Sequence, residues 1–269
     1  MDPQAYNTLI LSDLHLGSET SHAREATQLL KKTSFQRLIL LGDIFADLNF
    51  ARLTKDHWKF LGYIRKLSNP KRGIEVVWVE GNHDHGLANI MSHLVGVRVY
   101  QRYEWDYRGL RHIAIHGHQF DGFQVNNLRM SRLGTSLYLQ LQKLDFKSKP
   151  IARMIDRLNT RWLRMSTKVS AGAIAFARHH EAQRIFCGHT HEATHVEKDG
   201  ISYYNAGGWV DSRLTYLTID ETGVQIHEYT ERADHRDSGE ERGEADSAFA
   251  DLADESGLLE DVEYESVGR

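Results

Sequence analysis

The sequence predicts an α/β fold: two sheets packed as a sandwich, flanked by helices, with a helical cap inserted late in the chain. Three observations predict it. Short apolar runs end, one after another, in turns that carry Asp, Asn or His. Helical periodicity separates the first of these runs, and strand–helix alternation is the signature of layered α/β folds. Between Phe120 and His180 strand signals vanish and helical spacing takes over.

The elements follow in order. Leu9-Ile10-Leu11 forms a first strand, about Thr8–Ser12, running into Asp13. A helix is expected over Ala23–Lys32. The second strand, Leu38-Ile39-Leu40-Leu41, ends at Gly42-Asp43, and a helix follows over Leu53–Leu67. Val76-Val77-Trp78-Val79 ends at Glu80-Gly81-Asn82, before a short helix over Leu87–Leu94. Short apolar runs bounded by turn residues read as buried strands. Shorter strands are expected near Val97–Gln101, Glu104–Tyr107 and Arg111–His116. Ile185-Phe186-Cys187 runs into Gly188-His189. Lys198-Asp199-Gly200 sits between alternating runs and reads as a hairpin turn. Strands near Leu214–Ile219 and Gln225–Tyr229 are expected to complete a second sheet.

The 269 residues suffice for one substantial core. No apolar stretch approaches the length of a membrane span. The first apolar run ends within a few residues at Ser12-Asp13, so it reads as a strand and not as a signal peptide. Cys187 is the only cysteine, which excludes an intrachain disulfide and fits a reducing, cytoplasmic compartment. Charge divides the chain unevenly. Residues 231–269 hold 14 acidic and 4 basic side chains, a net of −10, which leaves +6 on residues 1–230. The acidic stretch is poor in large apolar residues and reads as a disordered tail following a 1–230 domain.

Five blocks carry the chemistry: Asp13-x-His15, Gly42-Asp43, Gly81-Asn82-His83-Asp84, His116 in His-Gly-His, and Gly188-His189-Thr190-His191. Polar groups at strand ends of such folds converge on one rim, where ligands bind. Taken singly these blocks are weak signals; five in this order are not. They resemble the calcineurin-like metallophosphoesterase superfamily, whose signature is D-x-H, G-D, G-N-H-D, a lone His and G-H-x-H. The resemblance implies a dinuclear metal centre with Asp43 as the shared carboxylate. One ion would be held by Asp13, His15, Asp43 and His191, the other by Asp43, Asn82, His116 and His189. Two ions neutralise phosphate oxygens and lower the pKa of a bound water. The mixed carboxylate, amide and imidazole set suits two divalent transition-metal ions, Mn foremost, with Fe, Zn or Co also suited. In the family the histidine at His83 contacts the phosphate and protonates the leaving oxygen, and Asp84 orients its ring. His118, Asp47 and Asn49 lie close enough in sequence to these blocks to shape the substrate side.

The inserted segment is basic. Residues 129–178 contain 11 Lys and Arg against 2 Asp and no Glu. Arg153, Arg157, Arg161, Arg164 and Lys168 fall on one helical stripe, beside an apolar face that includes Trp162. Such a cap suits anionic substrates or anionic lipid headgroups, with Arg157, Arg161 and Arg164 as contacts. The segment Asn205-Ala206-Gly207-Gly208-Trp209-Val210 resembles the UDP-2,3-diacylglucosamine pyrophosphatase-like branch, in which helices cap an acyl-chain pocket. The lipid A enzymes of that branch usually carry Arg where this chain has His83. The resemblance implies hydrolysis of a phosphate or pyrophosphate bond in a phosphorylated small molecule or lipid-linked nucleotide, with peripheral contact to anionic membrane. A phosphodiesterase or phosphatase acting on nucleotides, nucleic acid or phosphoprotein is the alternative, and a non-catalytic metal-binding scaffold a further one. The sequence leaves the oligomeric state open.

Overall fold

A computed structural model describes residues 5–47, 49–86, 88–121 and 150–230. The acidic stretch 231–269 and the first part of the basic insertion lie outside the described residues. So do the side chains of residues 150–164, and with them those of Arg157, Arg161 and Arg164.

One sheet has six strands in the order β11-β10-β1-β2-β3-β4. Its centre is β1 (Tyr6–Leu11), β2 (Phe35–Leu41) and β3 (Glu75–Val79), all parallel, with the two-residue β4 (Val99–Tyr100) beside β3. The other sheet has five strands, β5-β6-β7-β9-β8. There β6 (Leu110–Ala114), β7 (Arg184–Cys187) and β9 (Ile201–Asn205) run parallel, and β5 (Tyr103–Tyr107) and β8 (Thr194–Lys198) close the edges antiparallel.

The last two strands correct the sequence expectation. β10 (Thr215–Asp220) pairs antiparallel with β1, and β11 (Gly223–Glu228) pairs with β10. They therefore extend the first sheet and do not complete the second. The reason is burial. Leu217 and Ile219 of β10 pack with Ile10, Ile39, Val77 and Val79 in the layer between the sheets. A hydrogen-bonded neighbour for β1 on that side satisfies backbone groups that would otherwise be orphaned.

Both faces of the first sheet are covered, which is why its strands read as unbroken apolar runs rather than alternating ones. On β1, Leu9 and Leu11 face α1 (Ala23–Lys32) and α2 (Lys55–Leu67), while Ile10 faces the second sheet. The second helix starts two residues later than periodicity suggests because Thr54 caps it: Thr54 Oγ1 accepts from His57 N, and His57 Nδ1 accepts from Thr54 N. A short α3 (Ala88–Val95) follows. The outer face of the second sheet is covered by a 30-residue helix, α4 (Pro150–His179), through Ala173, Ile174 and Ala177. The result is four layers, helix–sheet–sheet–helix. Among the described residues, no helix is long and apolar enough to cross a membrane.

Candidate metal centre

The five blocks meet at the carboxyl ends of β1, β2, β3, β6 and β7. Backbone bonds lash the post-strand turns together. Asp13 N donates to Gly42 O (3.1 Å), His15 N to Asp43 O (3.0 Å) and Gly188 N to His116 O (2.9 Å). Gly188 is required for this approach, since a Cβ there would collide with Ser12 Oγ and Asp13 Oδ2.

The turns are strained. Among the described residues, eight non-glycine residues have positive φ, and five of them are Asp13, His15, Asp43, His189 and His191. Such conformations persist only where the surroundings over-determine them, and they gather at functional sites. Here they turn five side chains from the ends of three strands, β1, β2 and β7, toward one rim.

Two clusters result. The ligand-type atoms of Asp13, His15 and His191 lie within 4.8 Å of one another, and so do those of Asp43, His116 and His189. A third such group, His15, Asp43 and His83, links them. In the first cluster His191 Nε2 stands 3.2 Å from Asp13 Oδ1 and 3.3 Å from His15 Nε2. In the second, His116 Nε2 stands 3.2 Å from Asp43 Oδ2. Asp13, Asp43 and His116 are almost completely shut from solvent.

A cation fits these residues. Asp13 Oδ1, Asn82 Oδ1 and His116 Nε2 are all buried without a hydrogen bond of good geometry, although His191 Nε2 and Asp43 Oδ2 stand 3.2 Å from the first and the last. A buried polar atom left unsatisfied costs about 1–3 kcal/mol. Ligand-type atoms from three motifs, buried without a well-formed hydrogen bond, are what a divalent ion satisfies. Electrostatics agrees. Burial alone would raise the carboxyls of Asp13 and Asp43, yet His191 and His15 around Asp13, and His116 and His83 around Asp43, hold both well below the usual carboxylate range. Conversely, burial would lower His116 and His191, but Asp43 raises the first to about 9 and Asp13 the second to about 10. The pocket demands positive charge.

The outer contacts of the imidazoles are distinct. His116 Nδ1 faces Leu41 O at 3.0 Å, and His191 Nδ1 faces Asp211 Oδ2 at 3.8 Å. His83 Nδ1 faces Ala46 O at 2.6 Å, which leaves its Nε2 on the Asp43 side, 3.9 Å from Oδ2. Asp84 does not orient this ring. Its two oxygens accept from Ile44 N (3.0 Å) and Phe45 N (2.9 Å), so it fastens the Gly42-Asp43 turn from beneath. Burial, together with the neighbouring charge of Asp43, pushes the Asp84 carboxyl up to about 7.

The remaining predicted residues sort by place. His118 begins a short 3-10 turn and its ring lies 5.5 Å from that of His116; burial, with His116 and His189 beside it, lowers it to about 3. Asp47 accepts from Asn49 N and pairs with Arg52, and Asn49 accepts from Ala51 N. Both residues thus shape the loop after β2 through local bonds. Sequence reasoning missed three supports. Asn205 Nδ2 donates to Gly188 O (2.6 Å) while its Oδ1 accepts from Gly207 N, which ties the Asn-Ala-Gly-Gly-Trp segment to the last motif. Asp211, two residues past Trp209, faces His191. Asp121, five residues past His116, lies with its Oδ2 3.5 Å from His189 Nε2. Only its closeness to a motif could have marked it.

A four-layer sandwich with His/Asp groups able to hold metal at one rim defines a metallophosphoesterase fold. The calcineurin-like phosphoesterase superfamily domain matches residues 7–222, and the chain belongs to that superfamily. No curated protein matches the chain. Among solved structures, an archaeal phosphodiesterase is similar at 14% identity and a TM-score of 0.45, over 82% of this chain and 99% of that one. The E. coli phosphoesterase Yfce is similar at 16% identity and a TM-score of 0.44, over 80% of this chain and 88% of that one. Vps29 from Entamoeba histolytica, solved with zinc, gives 13% and 0.40, over 82% of this chain and 97% of that one.

Proposed function

We propose that this chain is a dinuclear metal-dependent phosphoesterase that cleaves a phosphate or pyrophosphate bond, with a lipid-linked nucleotide of the UDP-2,3-diacylglucosamine type as its substrate. The observation that carries the chemistry is the pair of clusters on either side of Asp43, with three predicted ligand atoms buried and unsatisfied. Asp13, His15, Asp43 and His191 hold one ion; Asp43, Asn82, His116 and His189 hold the other. Mn, Fe, Zn and Co all suit this mixed donor set. When bound, the pair neutralises phosphate charge and makes a hydroxide nucleophile available near neutral pH.

The chain's own residues do the rest. His83 is part-exposed, and Ala46 O fixes its ring by accepting from Nδ1. Its Nε2 is thereby directed to the substrate side, where the ring in its doubly protonated form donates to a phosphate oxygen or to the leaving oxygen. Asp84 keeps the Asp43 turn rigid. His118 extends the polar wall beside His116.

The substrate class rests on the long helix. Val169 packs against Gly117, next to His116, so α4 passes the rim at that level. Residues 150–168 then continue past it for roughly 28 Å, at about 1.5 Å per residue. In the sequence, Arg153, Arg157, Arg161 and Arg164 keep helical spacing with Lys168, which is exposed. A basic helical stripe in the chain of a phosphoesterase suits an anionic, amphiphilic substrate, and it also suits peripheral contact with anionic membrane at a cytoplasmic face.

Metal-loaded protein offered a UDP-diacylated sugar, simple nucleotides, single-stranded DNA and a phosphopeptide tests this reading. Release of UMP and the sugar 1-phosphate, in preference to turnover of the others, is the expected result. Preference for nucleotides, nucleic acid or phosphopeptide would retain the chemistry and discard the lipid substrate. Two bound ions with no hydrolysis of any substrate would make the chain a metal-binding scaffold.

A further inference from the structure

We infer that Asp121 is a positioning residue for the second metal site: it holds His189 by Nε2, so that His189 ligates through Nδ1, opposite to the other histidines of the centre. The inference rests on the metal reading above and adds to it which nitrogen each ring presents and what decides that.

His189 is fixed at two points. Its backbone N donates to Asp13 Oδ2 at 3.0 Å, in a left-handed conformation at φ 68°. Its ring Nε2 faces Asp121 Oδ2 at 3.5 Å, and both side chains are buried, with 7% and 8% of their surface exposed. A bare imidazole nitrogen set against a buried carboxylate oxygen would place two lone pairs face to face. Nε2 must therefore carry the proton and donate, and Nδ1 is left as the lone pair for the cluster with Asp43 and His116. His116 and His191 are turned the other way. They give Nδ1 to Leu41 O and Asp211, and they present Nε2. Second partners of this kind set the tautomer and direction of metal-binding histidines.

Asp121 is itself held in place. Its backbone N bonds to His118 O at 3.2 Å, closing the 3-10 turn that follows His116. The preceding Phe120 packs on Phe176 of α4 at 5.7 Å between ring centres, and it lies so close to Gly172 that a Cβ there would collide with it. The long helix thus backs the carboxylate that aims His189. Asp211, its counterpart at His191, is at 3.8 Å with 61% of its side chain exposed.

The test is Mn²⁺ titration of metal-free protein, read by calorimetry and by electron paramagnetic resonance. Wild type should show two sites. Asp121→Ala should weaken one of them by about 10–100-fold and leave the other unchanged, since loss of such a partner costs about that much in metal affinity. Asp121→Asn keeps an acceptor oxygen and the shape, so it should weaken the same site by less; it carries the test if the alanine variant does not fold. In ¹⁵N spectra of the zinc-loaded protein, His189 should be the ring protonated at Nε2, with Nδ1 on the metal. Two unchanged sites in both variants, or His189 ligating through Nε2, would overturn the inference while leaving the metal reading intact. Failure of the wild type to bind any metal would sink both.

Discussion

His112 lies within β6 and His116 just beyond its end, four residues apart, and both are fully buried. Their chemistry is opposite. His116 faces Asp43 and is raised to about 9 against the effect of burial. Burial pushes His112 down to about 4; its Nδ1 bonds to Leu110 O, and Arg184 lies at its Nε2. His112 also stacks between Trp105 and Phe186, at 5.0 and 5.8 Å. One is a lone pair held in an acidic pocket and the other is a polar plate in an aromatic stack. What separates them is the neighbour, a carboxylate against a guanidinium. Burial alone does not make a histidine functional.

Removing the carboxylate should break this contrast most severely. In Asp43→Asn the charge shared by both clusters is gone, and so is the main reason for the raised pKa of His116. Metal content should fall from two ions to one or none. Hydrolysis should fall by about 10⁴-fold or more, because the ions supply several kcal/mol of transition-state stabilisation. Metal analysis of purified protein and initial rates check it. Two ions retained with full activity would mean that Asp43 does not join the sites.

A third histidine sharpens the comparison. His83 shares the Asp43 neighbourhood but is part-exposed, and its far nitrogen is tied to a carbonyl. His83→Gln should therefore keep both ions and lose about 10²–10⁴-fold in rate, the usual worth of general acid assistance. The loss should shrink for a nitrophenyl ester, whose leaving group needs little protonation. An equal loss for good and poor leaving groups would reduce His83 to a phosphate-positioning role. Loss of an ion would make it a ligand or a structural residue.

These contrasts also mark what the sequence could reveal. The five ligand blocks were legible because each ends an apolar run, and strand ends of parallel sheets must share a rim. The order of strands was not. Nothing local distinguishes a β10 that joins β1 from one that joins β9, since that choice is decided by which apolar face needs cover. The same limit explains Asp84. It is adjacent to His83 in sequence, yet its side chain turns to Ile44 N and Phe45 N, forty residues away. The contacts of Asp121 and Asn205 were not legible, although Asn205 stands in a segment the sequence singles out, because an outer partner is defined by what it touches. His112 carried no sign either way: in the sequence it is one more histidine near a motif.

The smallest expected effect returns to His112 and follows from the sign of its shift. Its folded pKa, about 4, lies below its ordinary value of 6.5. Between these values the unfolded chain binds the proton and the folded chain does not. Stability from this residue is therefore intact above pH 6.5, declines as pH falls below it, and stops declining near pH 4. Between pH 7.5 and 5.5 the loss should be on the order of 1 kcal/mol. His116 and His191 titrate in the opposite sense and at higher pH, so the slopes must be separated. Denaturant unfolding of the parent and of His112→Phe, at matched pH and metal, does so, because every other group is common to both. The phenylalanine keeps the stack and removes the titration, so the difference in unfolding free energy should change by on the order of 1 kcal/mol across that range. A difference that stays flat with pH would show that the folded protein protonates His112 as readily as the unfolded chain, and that the aromatic stack tolerates a charge that burial should forbid.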